Sequence, residues 1–472
     1  MNNSKRQGMT NWASLGPRFL PFADAASADL PLSRLLRLSL FQISFGMAVV
    51  MLVGTLNRVM IVELKVPAHL VALMVALPLL VAPFRALIGF RSDRHRSELG
   101  WRRVPYIWMG TLVQFGGFAI MPFALLVLAG AGQSAQAPAW VGQLGAAMAF
   151  LLVGAGMHTT QTVGLALATD LAPAHKQPQV VGLMYVMQLL GMIASAVVLA
   201  EMLSDFSPGR LIRVVQAVAV TTLVLNVIAL WKQEPRSSLR KPGAARAPGE
   251  DESFSAAWRH FCSGPHTLRR LLGVGLGTMA FTMQDVLLEP YGGEVLRLSV
   301  SQTTFLTATL AFGGLIGFAA ASFVLGRGAD PYRMACWGAV VGLPAFAAVM
   351  GASSLQSTAL FVGGVFFIGL GGGLFAHGTL TASMQTAPPE QVGLALGAWG
   401  AVQASAAGLA IALGGILRDL LAAPLGTTSA YVGVYGLEQM MLLGTLAAMW
   451  PLAQKKRTGH QGARAVQSKV SA

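Results

Sequence analysis

Lys232-Gln-Glu-Pro-Arg-Ser-Ser-Leu-Arg-Lys-Pro-Gly-Ala-Ala-Arg-Ala-Pro-Gly-Glu-Asp-Glu-Ser-Phe-Ser-Ala-Ala-Trp-Arg-His-Phe261 is a polar island inside a chain of 472 residues that is 54% hydrophobic and 11% charged. It is rich in Pro, Gly, Ser, Arg and Glu and falls close to mid-sequence, as a linker between two apolar halves would. A water-soluble globular protein carries about 25% charged residues, so the polar surface for one is missing on either side of this island. That excludes a soluble enzyme of ordinary make-up, a secreted disulfide scaffold and a disordered chain. A multi-pass membrane protein remains.

Outward from the linker, apolar runs begin near Leu38, Pro67, Val104, Ala139, Gln179 and Leu211, then near Leu268, Gln302, Arg333, Thr358, Glu390 and Ser429. Each is long enough for a crossing, which takes about 20 to 25 mostly apolar residues. The expectation is an all-α integral membrane protein of twelve transmembrane helices in two six-helix halves. Its parts are an N-terminal tail (1–37), a first half (38–231), the linker (232–267), a second half (268–452) and a C-terminal tail (453–472). No apolar run precedes Leu38, and Pro17, Pro21, Asp24, Asp29 and Pro31 interrupt that tail, which argues against a cleaved signal peptide. Cys262 and Cys336 have no metal-ligand spacing.

The net charge of +14 raises the question of nucleic acid, and its placement answers it. With both tails and the even-numbered loops on one side, 26 of the 33 Lys and Arg residues collect there. Only Arg58, Lys65, Arg210, Arg213, Arg297 and Arg418 fall opposite, with Arg85 inside a helix. The positive-inside rule then predicts that both termini are cytoplasmic, and the basic residues read as a topology signal without a nucleic-acid partner.

The halves carry traces of duplication. Leu32, Arg34, Leu35 and Leu36 recur as Leu268, Arg270, Leu271 and Leu272, and Arg91 meets Arg327 at the same offset. Gly154, Gly156, Ala172, Pro173, Gly182 and Gln188 match Gly369, Gly371, Ala387, Pro388, Gly397 and Gln403 at a second shared offset. Twelve helices in two repeated halves joined by a basic linker describe the major facilitator fold. The loop Gly89-Phe-Arg-Ser-Asp-Arg-His-Arg-Ser-Glu-Leu-Gly-Trp-Arg-Arg103 resembles that superfamily's loop between the second and third helices. Its Asp93 can sit near helix ends while Arg91, Arg94, Arg102 and Arg103 offer cations to partner carboxylates or lipid phosphates, as a latch or a docking site. A loop that only fixes orientation is the plainer reading.

No nucleotide-phosphate loop, zincin helix or nucleophile elbow is present, and no catalytic residue is expected. Gly273-Val-Gly275-Leu-Gly277 lies in an apolar helix with no strand before it. Pairs of small residues four apart (Gly273/Gly277, Gly313/Gly317, Gly338/Gly342, Gly369/Gly373 and Gly393/Gly397) instead suit close helix approach. Ionisable groups at membrane depth are costly and are functional candidates by default. Asp285 and Glu289, four apart in the seventh helix and followed by Pro290 and Tyr291, are expected to share a face. There they can relay a proton, coordinate a cation or bind Arg58 across the bundle; alternatively Glu289 caps the helix in interfacial water. Asn57 and Arg58 end the first helix, and Arg85 is placed to snorkel to the headgroups. His158 and His377 sit in apolar surroundings, where neutral imidazole can pack or can ligate a metal, the magnesium of a chlorin included. Mid-helix positions are mostly Ala, Leu, Val, Gly, Met and Phe, which equips the bundle poorly for a polar solute. The 22 methionines and 23 phenylalanines offer an adaptable apolar surface.

Longer strings carry a resemblance. Gly54-Thr-Leu-Asn-Arg-Val-Met-Ile-Val-Glu-Leu64, Ala82-Pro-Phe-Arg-Ala86, Ser92-Asp-Arg-His-Arg-Ser-Glu-Leu-Gly-Trp-Arg-Arg-Val-Pro-Tyr106, Thr169-Asp-Leu-Ala172 and Gln284-Asp-Val-Leu-Leu-Glu-Pro-Tyr-Gly-Gly293 closely resemble the PucC/LhaA family. Pro17-Arg-Phe-Leu-Pro-Phe-Ala-Asp24 is similar to it too. This is a major facilitator branch also called the bacteriochlorophyll delivery family. The resemblance implies an assembly factor for the light-harvesting antenna of purple bacteria, acting in the inner or intracytoplasmic membrane. Its implied partners are the antenna α and β polypeptides, the reaction centre or core antenna, bacteriochlorophyll or its synthesis machinery, and membrane lipids. Combined with the residues, it suggests His377, then His158, as a transient axial ligand to bacteriochlorophyll magnesium, with no other metal site. Core and peripheral antenna clients are not distinguished. The alternative is a secondary transporter or flippase of a porphyrin or other amphiphile. A prenyl transferase of pigment synthesis lacks its Asp-rich motif here.

Overall fold

The computed structural model describes residues 30–80, 88, 92, 101–128, 138–173, 177–234, 266–386 and 392–470. The first half comprises α1 (Leu32–Glu63), α2 (Ala68–Leu80), α3 (Val104–Leu128), α4 (Ala139–Leu171), α5 (Gln177–Met202) and α6 (Pro208–Leu230). The second comprises α7 (Thr267–Glu294), α8 (Val300–Gly326), α9 (Pro331–Leu355), α10 (Thr358–Thr386), α11 (Val392–Leu425) and α12 (Thr427–Val470). Among the described residues eleven of these are long and apolar enough to cross a membrane; the described part of α2 is shorter. The first helix starts at Leu32, ahead of the expected Leu38, because Pro31 supplies the extended residue before it and Leu35 and Leu38 are already buried.

Local chemistry sets several of the boundaries. Ser299 and Gln302 form a reciprocal capping box at the start of α8. The Ser207 hydroxyl accepts from the Arg210 N–H at 3.2 Å, and Asp330 accepts from the Tyr332 N–H at 2.8 Å. Each of these caps is followed by a proline at the first helical position.

The packing repeats with a period of six helices. In the first half α3 lies on α4 and α6, α1 on α5 and α6, and α2 on α4. In the second, α9 lies on α10 and α12, α7 on α11 and α12, and α8 on α10. The halves meet along α2 with α11 and α5 with α8, and shifting each of these four by six exchanges the two seams. This is the duplicated major facilitator architecture.

Glycine decides how closely the second-half helices approach. A Cβ added to Gly313 or Gly317 would collide with the α10 carbonyls of Phe366 and Leu370, and one on Gly369 or Gly373 with the α8 carbonyls of Leu310 and Gly314. Gly338 meets the carbonyl of Gly371, whereas Gly273, Gly277 and Gly342 make room for side chains of Met449, Phe375 and Leu442. The surroundings of Gly393 and Gly397 lie outside the described residues. Large apolar side chains left exposed include Phe123, Phe323, Met109 and Met440, with Trp140 opening α4 and Trp231 following α6, where interfacial indoles belong.

Candidate functional site

At the end of the bundle opposite the linker, α1 stops being a regular α-helix. It winds as π-helix over Val50–Leu56 and again over Val59–Glu63, and each wider turn shifts the face presented by the residues between. Asn57 thereby donates to the Val286 carbonyl at 2.9 Å, and Arg58 donates to the Leu298 carbonyl at 3.2 Å while pairing with Glu63. Thr55 and Thr304 meet hydroxyl to hydroxyl at 3.3 Å. Glu289 completes this seam. It accepts from the Thr307 hydroxyl, lies within electrostatic reach of Arg58 and is 1% exposed. Gly54 leaves space for it: a Cβ there would stand 2.5 Å from Glu289 Oε1.

The expected shared face of Asp285 and Glu289 is not formed. A 3-10 turn over Met283–Val286 breaks the α-helical register, so four residues no longer equal one turn. Glu289 turns toward α1 and α8, whereas Asp285 accepts from the amide of its neighbour Gln284. Glu289 is also buried, so it does not sit in interfacial water.

A second ionic group closes the same end. His69, at the start of α2, contacts Asp419 of α11 through its backbone N–H at 2.8 Å and its Nδ1 at 2.7 Å. Arg418 donates to Asp419 at 2.7 Å and pairs with Glu294, which also accepts from the Tyr431 hydroxyl at 2.9 Å. One network therefore ties α2 to α7, α11 and α12. Sequence reasoning counted Arg418 only as a topology charge; the adjacent Arg418-Asp419 pair within an apolar run was the available signal.

At the linker end, Arg102 and Arg103 join elements of the first half. Both donate to Asp170 at the end of α4, at 2.7 and 3.0 Å, and Arg103 also donates to Ser92 at 2.7 Å. Glu234 accepts from the backbone N–H groups of Arg102, Arg103 and Val104 at 2.8 to 3.0 Å, placing a negative charge on the N-terminus of α3. Beside it lies a cavity of about 1360 Å³ walled by Arg34, Arg37, Trp101, Trp108, Trp231 and Lys232, among others. Arg85, Arg91, Asp93 and Arg94 lie outside the described residues.

The two histidines are in different halves. His158 on α4 is buried with its ring edge-on to Phe45 of α1 at 5.4 Å. His377 on α10 is half-buried and edge-on to Phe318 of α8 at 4.2 Å; its Nδ1 is buried with no hydrogen-bond partner. Tyr291 is fully buried among Phe361, Tyr431 and Tyr435, and its hydroxyl donates to the Val349 carbonyl at 3.1 Å. Two further polar groups escaped the sequence reading. One is Gln161 of α4, whose amide donates to Gln188 of α5 at 2.9 Å and approaches Gln42 of α1. The other is Glu438, which stands out only as a lone acid in the apolar run of α12.

The family model described as PUCC protein matches residues 55–457. Protein PucC of Rhodovulum sulfidophilum is 63% identical over 420 residues, covering 89% of this chain and 92% of the relative. Protein PucC of Cereibacter sphaeroides is 58% identical over 443 residues, covering 93% and 96%. Among solved structures, the D-xylose-proton symporter superposes with a TM-score of 0.66 at 15% identity, covering 88% of this chain and 97% of that one. That likeness is one of fold.

Proposed function

The chain belongs to the PucC family, and from that premise we propose that it is an assembly factor for the light-harvesting antenna complexes of purple bacteria. It acts in the inner or intracytoplasmic membrane with both termini cytoplasmic, as the charge bias supports. Its clients are antenna α and β polypeptides, their bacteriochlorophyll, or both. The observation that carries the pigment part is His377. A neutral imidazole can give one axial bond to a chlorin magnesium, and this ring stands partly exposed against Phe318 in the wall between α8 and α10. Ligating histidines normally donate their second N–H to an acceptor that fixes the ring, and Nδ1 of His377 has none. Such a ligand binds weakly and releases its cargo to the client. His158 is the poorer candidate because it is 6% exposed. For the polypeptide part, exposed Phe123, Phe323, Met109 and Met440 provide a surface that a partner helix can pack on.

The test is mild-detergent purification from a photosynthetic host, with an absorption spectrum and identification of bound subunits. Bacteriochlorophyll and antenna polypeptides are expected with the wild type. The combined His158→Ala and His377→Ala variant is expected to lose pigment while keeping its polypeptide partners. Unchanged pigment content in that variant removes the ligation assignment. Directional movement of a porphyrin or other amphiphile in sealed vesicles, with no antenna partner, would establish the transporter reading that the fold also accommodates.

A further inference from the structure

Glu438 is enclosed in the middle of the second half. It follows the first residue of α12 by eleven positions, about 16 Å along a helix, and so lies near the centre of a hydrocarbon layer about 30 Å thick. The residue is 0% exposed, and neither carboxyl oxygen has a hydrogen-bond partner. Another acid, Asp285, lies nine positions before the end of α7, at similar depth on a helix that packs against α12 and whose Tyr291 ring meets Tyr435. Asp285 accepts from the Gln284 amide at 2.5 Å. The Gln284 carbonyl oxygen and the Tyr435 hydroxyl, one turn before Glu438, are buried and have no partner either. Glu438, Tyr435 and Gln284 thus each bury an oxygen whose bonding capacity is unused, on two helices that pack together.

Helices α7, α9 and α11 pack on α12. Helix α7 contributes Asp285 and Tyr291, and Tyr291 is committed to the Val349 carbonyl. Helix α9 contributes Phe346, whose ring packs on Tyr435. Helix α11 brings Arg418 to Tyr431, two turns away, where Glu294 and Asp419 already balance it. No described lysine, arginine or histidine pairs with Glu438 or Asp285. A carboxyl enclosed without a partner in a low-dielectric interior is not held as a bare anion, because isolated buried charge costs many kcal/mol.

We propose that Glu438, Asp285, Gln284 and Tyr435 form a monovalent-cation site at the centre of the second half, filled by a proton or by sodium. All four side chains carry an oxygen, which is the ligand both ions take. The site is separate from the histidine proposed for pigment and does not depend on it.

The experiment is attenuated-total-reflection infrared spectroscopy of the purified full-length protein in lipid nanodiscs, exchanging pH at fixed salt and then sodium for choline at fixed pH. The wild type is expected to show a buried carboxyl band that converts to carboxylate on one of these exchanges. Conversion by pH alone identifies the proton; conversion by sodium, with release of protons to a weak buffer, identifies sodium. Loss of that band in Glu438→Gln, and its displacement in Asp285→Asn and Tyr435→Phe, assigns it. A wild-type spectrum without any buried carboxyl band that answers to pH or sodium overturns the proposal whether or not the variants fold. So does a band that survives intact in a folded Glu438→Gln protein.

Discussion

At the scale of single residues, burial separates ion pairs that matter from those that do not. Arg418 sits between Glu294 and Asp419 with its side chain 12% exposed, and its partners are 19% and 20% exposed. Replacing it with methionine leaves two carboxylates facing each other, and breaking a largely buried pair costs about 3 kcal/mol. Arg210 pairs with an Asp205 that is 89% exposed, and a surface pair of that kind contributes less than about 1 kcal/mol. Thermal melts of the detergent-solubilised protein should therefore show a large drop for Arg418→Met and almost none for Asp205→Ala. Equal effects would mean that the network around Arg418 is solvated in the membrane-embedded protein. Glu234 gives a second case. Its carboxylate holds three backbone N–H groups at the start of α3, so Glu234→Ala removes a charged cap whose usual contribution is about 1 to 2 kcal/mol. Its melting temperature should fall, and Glu234→Gln, which keeps one acceptor oxygen, should lie between.

Helices as units are governed by the space between their backbones, and α10 contains its own control. Gly369 faces α8 so closely that a Cβ would overlap the Leu310 carbonyl, whereas Gly363, six residues earlier on the same helix, has nothing within 4 Å. Alanine at 363 removes the entropic penalty of glycine in a helix and should be neutral or stabilising by up to about 1 kcal/mol. At 369 it must push two helices apart and should destabilise, with loss of folded material on size-exclusion chromatography as the readout. Sequence spacing showed Gly313, Gly317, Gly369 and Gly373 as approach sites because small residues four apart on an apolar helix have few other uses. Helix number, order and duplication were legible for a similar reason: a 30 Å hydrocarbon layer imposes one element length on every crossing. The register of the polar groups was not. Periodicity assumes 3.6 residues per turn, and α1 and α7 depart from it where Asn57, Arg58, Asp285 and Glu289 lie. Hence the association of Asn57, Arg58 and Glu289 could only be suggested, and the separation of Asp285 from Glu289 was invisible. Glu438 and Asp419 were missed because their meaning depends on which helix packs opposite, which spacing within one run does not encode.

For the molecule as a whole, the two halves are held together at the end away from the linker by contacts of two kinds. Asn57, Arg58 and Thr55 bind the first half to α7, α8 and the segment between them. His69 binds it to Asp419. If the halves rock, as in transporters of this fold, opening this end requires both groups to part. Asn57→Ala removes one neutral hydrogen bond, about 1 kcal/mol, and Asp419→Asn weakens a charge-assisted pair of about 1.5 to 3 kcal/mol. A combined loss of about 3 kcal/mol shifts the closed-to-open ratio roughly a hundredfold. Spin labels at Lys65 and Ser354, exposed positions of opposite halves at this end, report the separation once Cys262 and Cys336 are replaced. The wild type should give a single short distance. The double variant Asn57→Ala, Asp419→Asn should add a longer one, and more of it than the two single variants combined, since either group alone still holds the seam. An unaltered distribution in the double variant would place the closure elsewhere, in the packing of α2 on α11 and α5 on α8, so that helix faces and not polar locks hold the seam.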